Sequence, residues 1–207
     1  MPAPTKEQAQ AFQAMYDHFN RALFAGSLAP VLLNFSRKAR TYGFFAPERW
    51  KAGEEARHEI SLNPSYLAER APRDVASTLV HEMTHAWQHE HGTPSRTGYH
   101  NHQWAAKMEA IGLMPSSTGA PGGARVGQRM SHYVIEGGPF DRAFTRMSER
   151  AWFPWVCAEV PEDEALRRKR SVLSKTKYTC PCGVNVWGKP GLRVVCAECD
   201  AMFVEGG

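Results

Sequence analysis

The chain has 207 residues, 43% of them hydrophobic and 22% charged, which suits one domain with a real core, or one core plus a small module. This composition excludes a disordered tail, a collagen-like fibre and a coiled coil. The net charge of +4 is uneven, with eight Lys/Arg against three Asp/Glu in residues 167–207 and 17 against 18 elsewhere, so the two parts are expected to meet different partners.

No apolar run approaches the roughly 20 residues of a membrane-spanning helix. Met1-Pro-Ala-Pro-Thr-Lys6 lacks the apolar stretch of a signal peptide. A cytoplasmic protein with no membrane partner is the expectation. Phe12, Met15, Tyr16, Phe19, Leu23 and Phe24 recur at helical spacing, predicting a helix over residues 5–25. Thr5 is placed to cap it and Gly26 to end it. Val31–Phe35, Thr41–Ala46 and Glu59–Leu62 read as strands of a small antiparallel sheet with one face covered.

A helix is expected from Pro72 through Val75, Leu79, Val80, Met83 and Trp87 towards Gly92, with Asp74 in its first turn or as its cap. After a loop at Thr93–Gly98, another helix should carry Trp104, Met108 and Ile111 on one face. Met114–Gly127 reads as a loop or flap, rich in Pro, Ser and Gly. Residues 128–160 hold Tyr133, Phe140, Phe144, Trp152, Phe153 and Trp155, too aromatic for a linker, and are expected to pack on the core. The switch to Pro-Glu-Asp-Glu and then Arg-Arg-Lys-Arg within 161–177 marks a boundary.

His81-Glu-Met-Thr-His85 matches HExxH. Residues four apart share a helix face, so the two imidazoles can hold one zinc ion. Glu82 then lies beside the metal without ligating it, free to take a proton from water and pass it to a leaving amine. A catalytic zinc needs a third protein ligand and an open position. His91, Glu109, His100 and His102 all compete for that place. His91 has the metzincin spacing, but Gln88 stands where that motif turns on glycine.

Three stretches together resemble the SprT-like zinc metalloprotease family, which includes the DNA–protein crosslink protease Spartan. They are the opening helix running into Leu23-Phe-Ala-Gly-Ser-Leu28, Ile60-Ser-Leu-Asn-Pro64 followed by Val80-His-Glu-Met-Thr-His-Ala-Trp87, and Gly98-Tyr-His-Asn-His-Gln-Trp104. In the family a histidine stands four residues before an aromatic, commonly within His-Gly-x-x-Trp/Phe. With Trp104 as that aromatic, the resemblance implies His81, His85 and His100 as ligands and Glu82 as the catalytic acid and base. Asn101 departs from the usual glycine, which keeps His102 in competition. The implied fold is α+β, a zincin-like core of helices and a small antiparallel sheet, with a C-terminal zinc ribbon. The implied divisions are a catalytic core over 1–115, a loop and aromatic segment over 116–165, and a basic ribbon module over 166–207.

Cys180-Pro-Cys182 and Cys196-Ala-Glu-Cys199 offer four thiolates for a closed structural zinc site. A tail this short folds poorly without such a staple. Gly183 and Asp200 follow the two knuckles. Cys157 stands outside the motif as an expected core residue. Arg167, Arg168, Lys169, Arg170, Lys175 and Lys177 surround the cluster with Trp187, a set able to hold a nucleic-acid backbone and stack on a base. The expected function is a zinc endopeptidase cleaving protein substrates, including DNA-bound or DNA-crosslinked ones. In that reading zinc polarises the scissile carbonyl while Glu82 activates water, with His132 and Tyr133 as candidate oxyanion helpers. Two alternatives stand beside it: a nucleic-acid-binding, transcription-associated zinc protein with little or no proteolysis, and a zinc hydrolase of small amides.

Overall fold

A computed structural model describes residues 3–147, 151–158 and 176–206. The chain divides into two units, Met1–Ala158 and Glu159–Gly207. The first is mixed helix and small sheets, and the second holds a three-stranded ribbon. No helix among the described residues is long and apolar enough to cross a membrane.

Helix α1 (Pro4–Phe24) buries Phe12, Met15, Tyr16, Phe19, Leu23 and Phe24 along one face. Each of these side chains contributes roughly 1.5–3 kcal/mol of burial free energy. Pro4 starts the helix with a preset φ, so Thr5 lies inside it and Ala3 is the cap. The helix ends on Ala25 in the left-handed conformation, one residue before Gly26.

Strands β1 (Leu32–Phe35), β2 (Gly43–Ala52) and β3 (Glu55–Leu62) form a sheet in the order β1-β3-β2. β2 and β3 are an antiparallel hairpin, but β1 runs parallel to β3. The sheet is therefore mixed rather than wholly antiparallel, because β1 enters from α1 and reaches the sheet on the far side of the hairpin. Ile60 and Leu62 are buried in the main core.

Helix α2 (Pro72–His91) is buried on almost every side from Val75 to Thr84. Pro72 occupies its first turn and Asp74 supplies the acid there, as the sequence predicts. β4 (Tyr99–His100) leads into α3 (His102–Ala110), which buries Trp104, Ala105 and Met108. β5 (Leu113–Ser116) follows at once. Gly112 makes that tight exit possible: its φ is +91°, and a Cβ there would meet the Phe140 amide nitrogen at 2.8 Å.

The segment after Ser116 is a loop held by its own bonds, with Ser117 N–H donating to the Ala124 carbonyl at 2.8 Å. It returns as β6 (Gly127–Gln128), paired with β4, and β7 (Ser131–Val134), paired with β5. Helix α4 (Pro139–Thr145) brings Phe140 to stack on Phe19 at 5.5 Å. Phe153 packs edge-on against Phe12 and Phe35. Cys157 lies outside the core, half-buried, with an Arg37 guanidinium nitrogen 3.3 Å from its Sγ.

In the second unit, β8 (Thr176–Thr179) pairs with both β9 (Asn185–Gly188) and β10 (Val204–Gly206). Its small core is Tyr178, Cys180, Cys196 and Phe203.

Candidate metal centres

The 3.6-residue repeat of α2 places His81 and His85 on one face, one turn apart. The turn at 93–98 and the short strand β4 bring His100 over them. Its Nε2 lies 3.3 Å from His81 Nε2 and 3.0 Å from His85 Nε2. Nitrogens bound to one tetrahedral zinc stand about 3.3 Å apart, so the three are spaced to share an ion. Trp104 forms the floor, with its ring centroid 4.8, 5.3 and 4.3 Å from those of His81, His85 and His100.

The protonation of the donors suits a cation. Burial pushes the His81 imidazole well below its ordinary pKa, helped by His85, His132 and His100. Burial and the neighbouring His100 bring His85 down to about 3. His100 is also lowered by burial, against a hydrogen bond to the Gly127 carbonyl. Neutral imidazole is the ligating form, so the cluster meets a metal without first losing protons. Glu82, next to His81 in the chain, is buried, and burial pushes its carboxyl up to about 8. A hydrogen bond with the Phe45 backbone and the Lys38 charge act in the opposite direction. A dication nearby favours the carboxylate further.

The other contenders lie elsewhere. His91 Nε2 sits 3.2 Å from the Ser27 carbonyl and 3.6 Å from Glu90. His102 is exposed at the start of α3, and Glu109 is paired with Arg125. Among the described residues, the histidine group able to hold an ion is His81, His85 and His100.

The two candidate oxyanion helpers, His132 and Tyr133, lie next to each other on β7, and the contacts of His132 are with His81 and Ser77. His132 Nδ1 lies 3.2 Å from His81 Nδ1, on the edge of that ring opposite the converging nitrogens. Tyr133 follows it on β7, half-buried and paired with Met114.

The four cysteines also converge. Cys180 and Cys199 Sγ are 3.2 Å apart, Cys182 and Cys196 Sγ 3.8 Å, and all four lie within 4.8 Å of one another. Sulfurs on a tetrahedral zinc stand about 3.8 Å apart. Two similar knuckles build the site. The Gly183 amide donates to the Cys180 carbonyl and the Asp200 amide to the Cys196 carbonyl, and both residues have positive φ. Asp tolerates that conformation better than most side chains, which is how the second knuckle closes without glycine. Backbone amides of Glu198 and Cys199 hold the Cys196 thiol down at about 7. Burial pushes Cys180 up, and bound metal would deprotonate it outright.

The SprT-like family model matches residues 12–123, more than half of the chain. The chain belongs to the SprT-like family. That membership suggests a metalloprotease-like domain, and both ligand groups suit zinc by number and chemistry. No curated protein matches the chain.

Of the residues expected to contact nucleic acid, Arg167, Arg168, Lys169, Arg170 and Lys175 lie outside the described residues. Lys177 and Trp187 are cross-strand partners on β8 and β9, and both are exposed. Sequence reasoning missed the Trp104 floor and the Gly127 carbonyl. Helical spacing flagged Trp104 as apolar but could not say what rests on it. Gly127 carries no local signal, since its part comes from pairing across 27 residues.

Proposed function

We propose that the chain is a zinc-dependent endopeptidase acting on protein substrates, including proteins held on DNA. The observation that carries this reading is the convergence of the His81, His85 and His100 Nε2 atoms with a buried glutamate adjoining His81. A purely structural zinc site has no use for that acid. Bound by the three histidines, zinc supplies a Lewis acid for the scissile carbonyl and a water of lowered pKa. Glu82 takes the proton of the attacking water and delivers it to the leaving amine. Strand β2 is an edge of its sheet among the described residues, and the Phe45 backbone reaches Glu82. An extended peptide adding to that edge through main-chain hydrogen bonds would lie alongside the general base.

The nucleic-acid part rests on chemistry alone. An exposed tryptophan opposite a lysine on a ribbon, downstream of a basic run, offers a stacking surface and phosphate neutralisation. Incubating the zinc-loaded chain with a basic DNA-binding protein, with and without single-stranded DNA and over a salt series, tests both parts. The expected result is cleavage that DNA accelerates, with the acceleration fading as salt rises. Cleavage indifferent to DNA would remove the DNA coupling and keep the protease. DNA binding without any cleavage would favour the binding-protein reading.

A further inference from the structure

His132 is a fourth histidine in contact with the metal-ligating group, and its own role follows from proton positions. A neutral imidazole carries one proton, and only the bare nitrogen can bind a metal. In His81 the nitrogen turned toward the other ligands is Nε2, so the proton must sit on Nδ1. The atom facing that proton, 3.2 Å away, is His132 Nδ1. To accept it, His132 must be bare at Nδ1 and protonated at Nε2. Its Nε2 lies 2.9 Å from the Ser77 hydroxyl oxygen, which is free to accept because Ser77 spends its own proton on the Asp74 carbonyl at 2.9 Å. Every link then runs donor to acceptor in one direction, from His81 through His132 and Ser77 to the main chain of α2.

We propose that His132 is a positioning residue for the metal centre, holding His81 in the tautomer and ring orientation that turn Nε2 toward the ion. This rests on the reading of His81, His85 and His100 as ligands. The placement is built by two elements. Ser77 and His81 are four residues apart on α2 and share a face, so one side chain can touch both. β7 delivers that side chain, with His132 opposite Pro115 in the β5–β7 pair. Outer partners of this sort fix a metal-binding histidine and raise its basicity. His100 has the equivalent partner in a backbone carbonyl, that of Gly127, at 3.2 Å. The first histidine of the motif uses a side chain instead, which makes the device open to mutation.

The test uses the full chain with cobalt(II) as the probe metal, titrated against a competing chelator. Wild type, His132→Phe, His132→Asn and Ser77→Ala are compared. Phenylalanine keeps a ring but cannot accept, whereas the asparagine oxygen falls where His132 Nδ1 was. His132→Phe is expected to weaken binding at the histidine site about 10–100-fold and to alter the cobalt absorption spectrum. His132→Asn is expected to recover most of the affinity and the wild-type spectrum, and Ser77→Ala to fall between. His132→Leu replaces the phenylalanine variant if that ring does not fit. Wild-type affinity and spectrum in the non-accepting variant would overturn the proposal, as would equal losses in the asparagine and non-accepting variants. A wild-type chain whose cobalt spectrum shows only thiolate ligation would instead overturn the ligand reading beneath it.

Discussion

His100 and His102 stand two positions apart with opposite surroundings. His100 is buried in β4, its backbone fixed by pairing with Gly127 and its Nδ1 against the Gly127 carbonyl. His102 opens α3 and is exposed. With one ion in each ligand group, wild type is expected to retain two metal ions per chain after dialysis. His100→Ala is expected to retain one and His102→Ala two, measured by elemental analysis. The reverse pattern would move the ligand to His102. The HExxH spacing alone makes His81, Glu82 and His85 legible, because it matches the helical repeat. The third ligand was not legible from spacing, since His91, Glu109, His100 and His102 all lie within reach of a chain that can turn at 93–98. What separates them is the β4–β6 pairing, and its other half lies 27 residues downstream. His132 shows the same limit. Its chemistry was visible in the sequence, but which edge of His81 it faces depends on the register of β5 with β7.

At the scale of elements, Asn101 accounts for a departure from the family pattern. Its φ of −89° is ordinary, so no glycine is required there. Its side chain accepts from the Trp104 amide at 3.1 Å and so caps α3, and the Gln88 amide donates to the same oxygen at 2.7 Å. Asn101→Ala is expected to cost about 0.5–2 kcal/mol of stability, while Asn101→Gly costs only about a few tenths, read from denaturant midpoints. Equal losses would mean that the Gln88 contact, rather than the cap, carries the effect. The long helices α1 and α2 were readable within a residue or two, since apolar positions mark their faces and Pro72 the start of α2, although α1 opens on Pro4 with Ala3 as its cap rather than on Thr5. The direction of β1 was not readable. A four-residue strand reads alike in either direction, and its partner is chosen by how α1 packs on the sheet.

For the whole molecule, two metal-ligating groups of different character lie in two separate units. The four thiolates could close around one ion beside a core of four buried residues among those described, so a metal held there would serve folding. Three histidines would leave a fourth position open in a unit with a large core, so a metal held there would be free for chemistry. The most direct test of this division is the rate at which zinc-loaded wild type and Glu82→Gln cleave one unfolded protein substrate, with metal content determined on the same preparations. The prediction is unchanged metal content with cleavage reduced about 10²–10⁴-fold in the variant. Equal cleavage at equal metal content would contradict the role given to Glu82 and, with it, the reading of the histidine site as a protease centre.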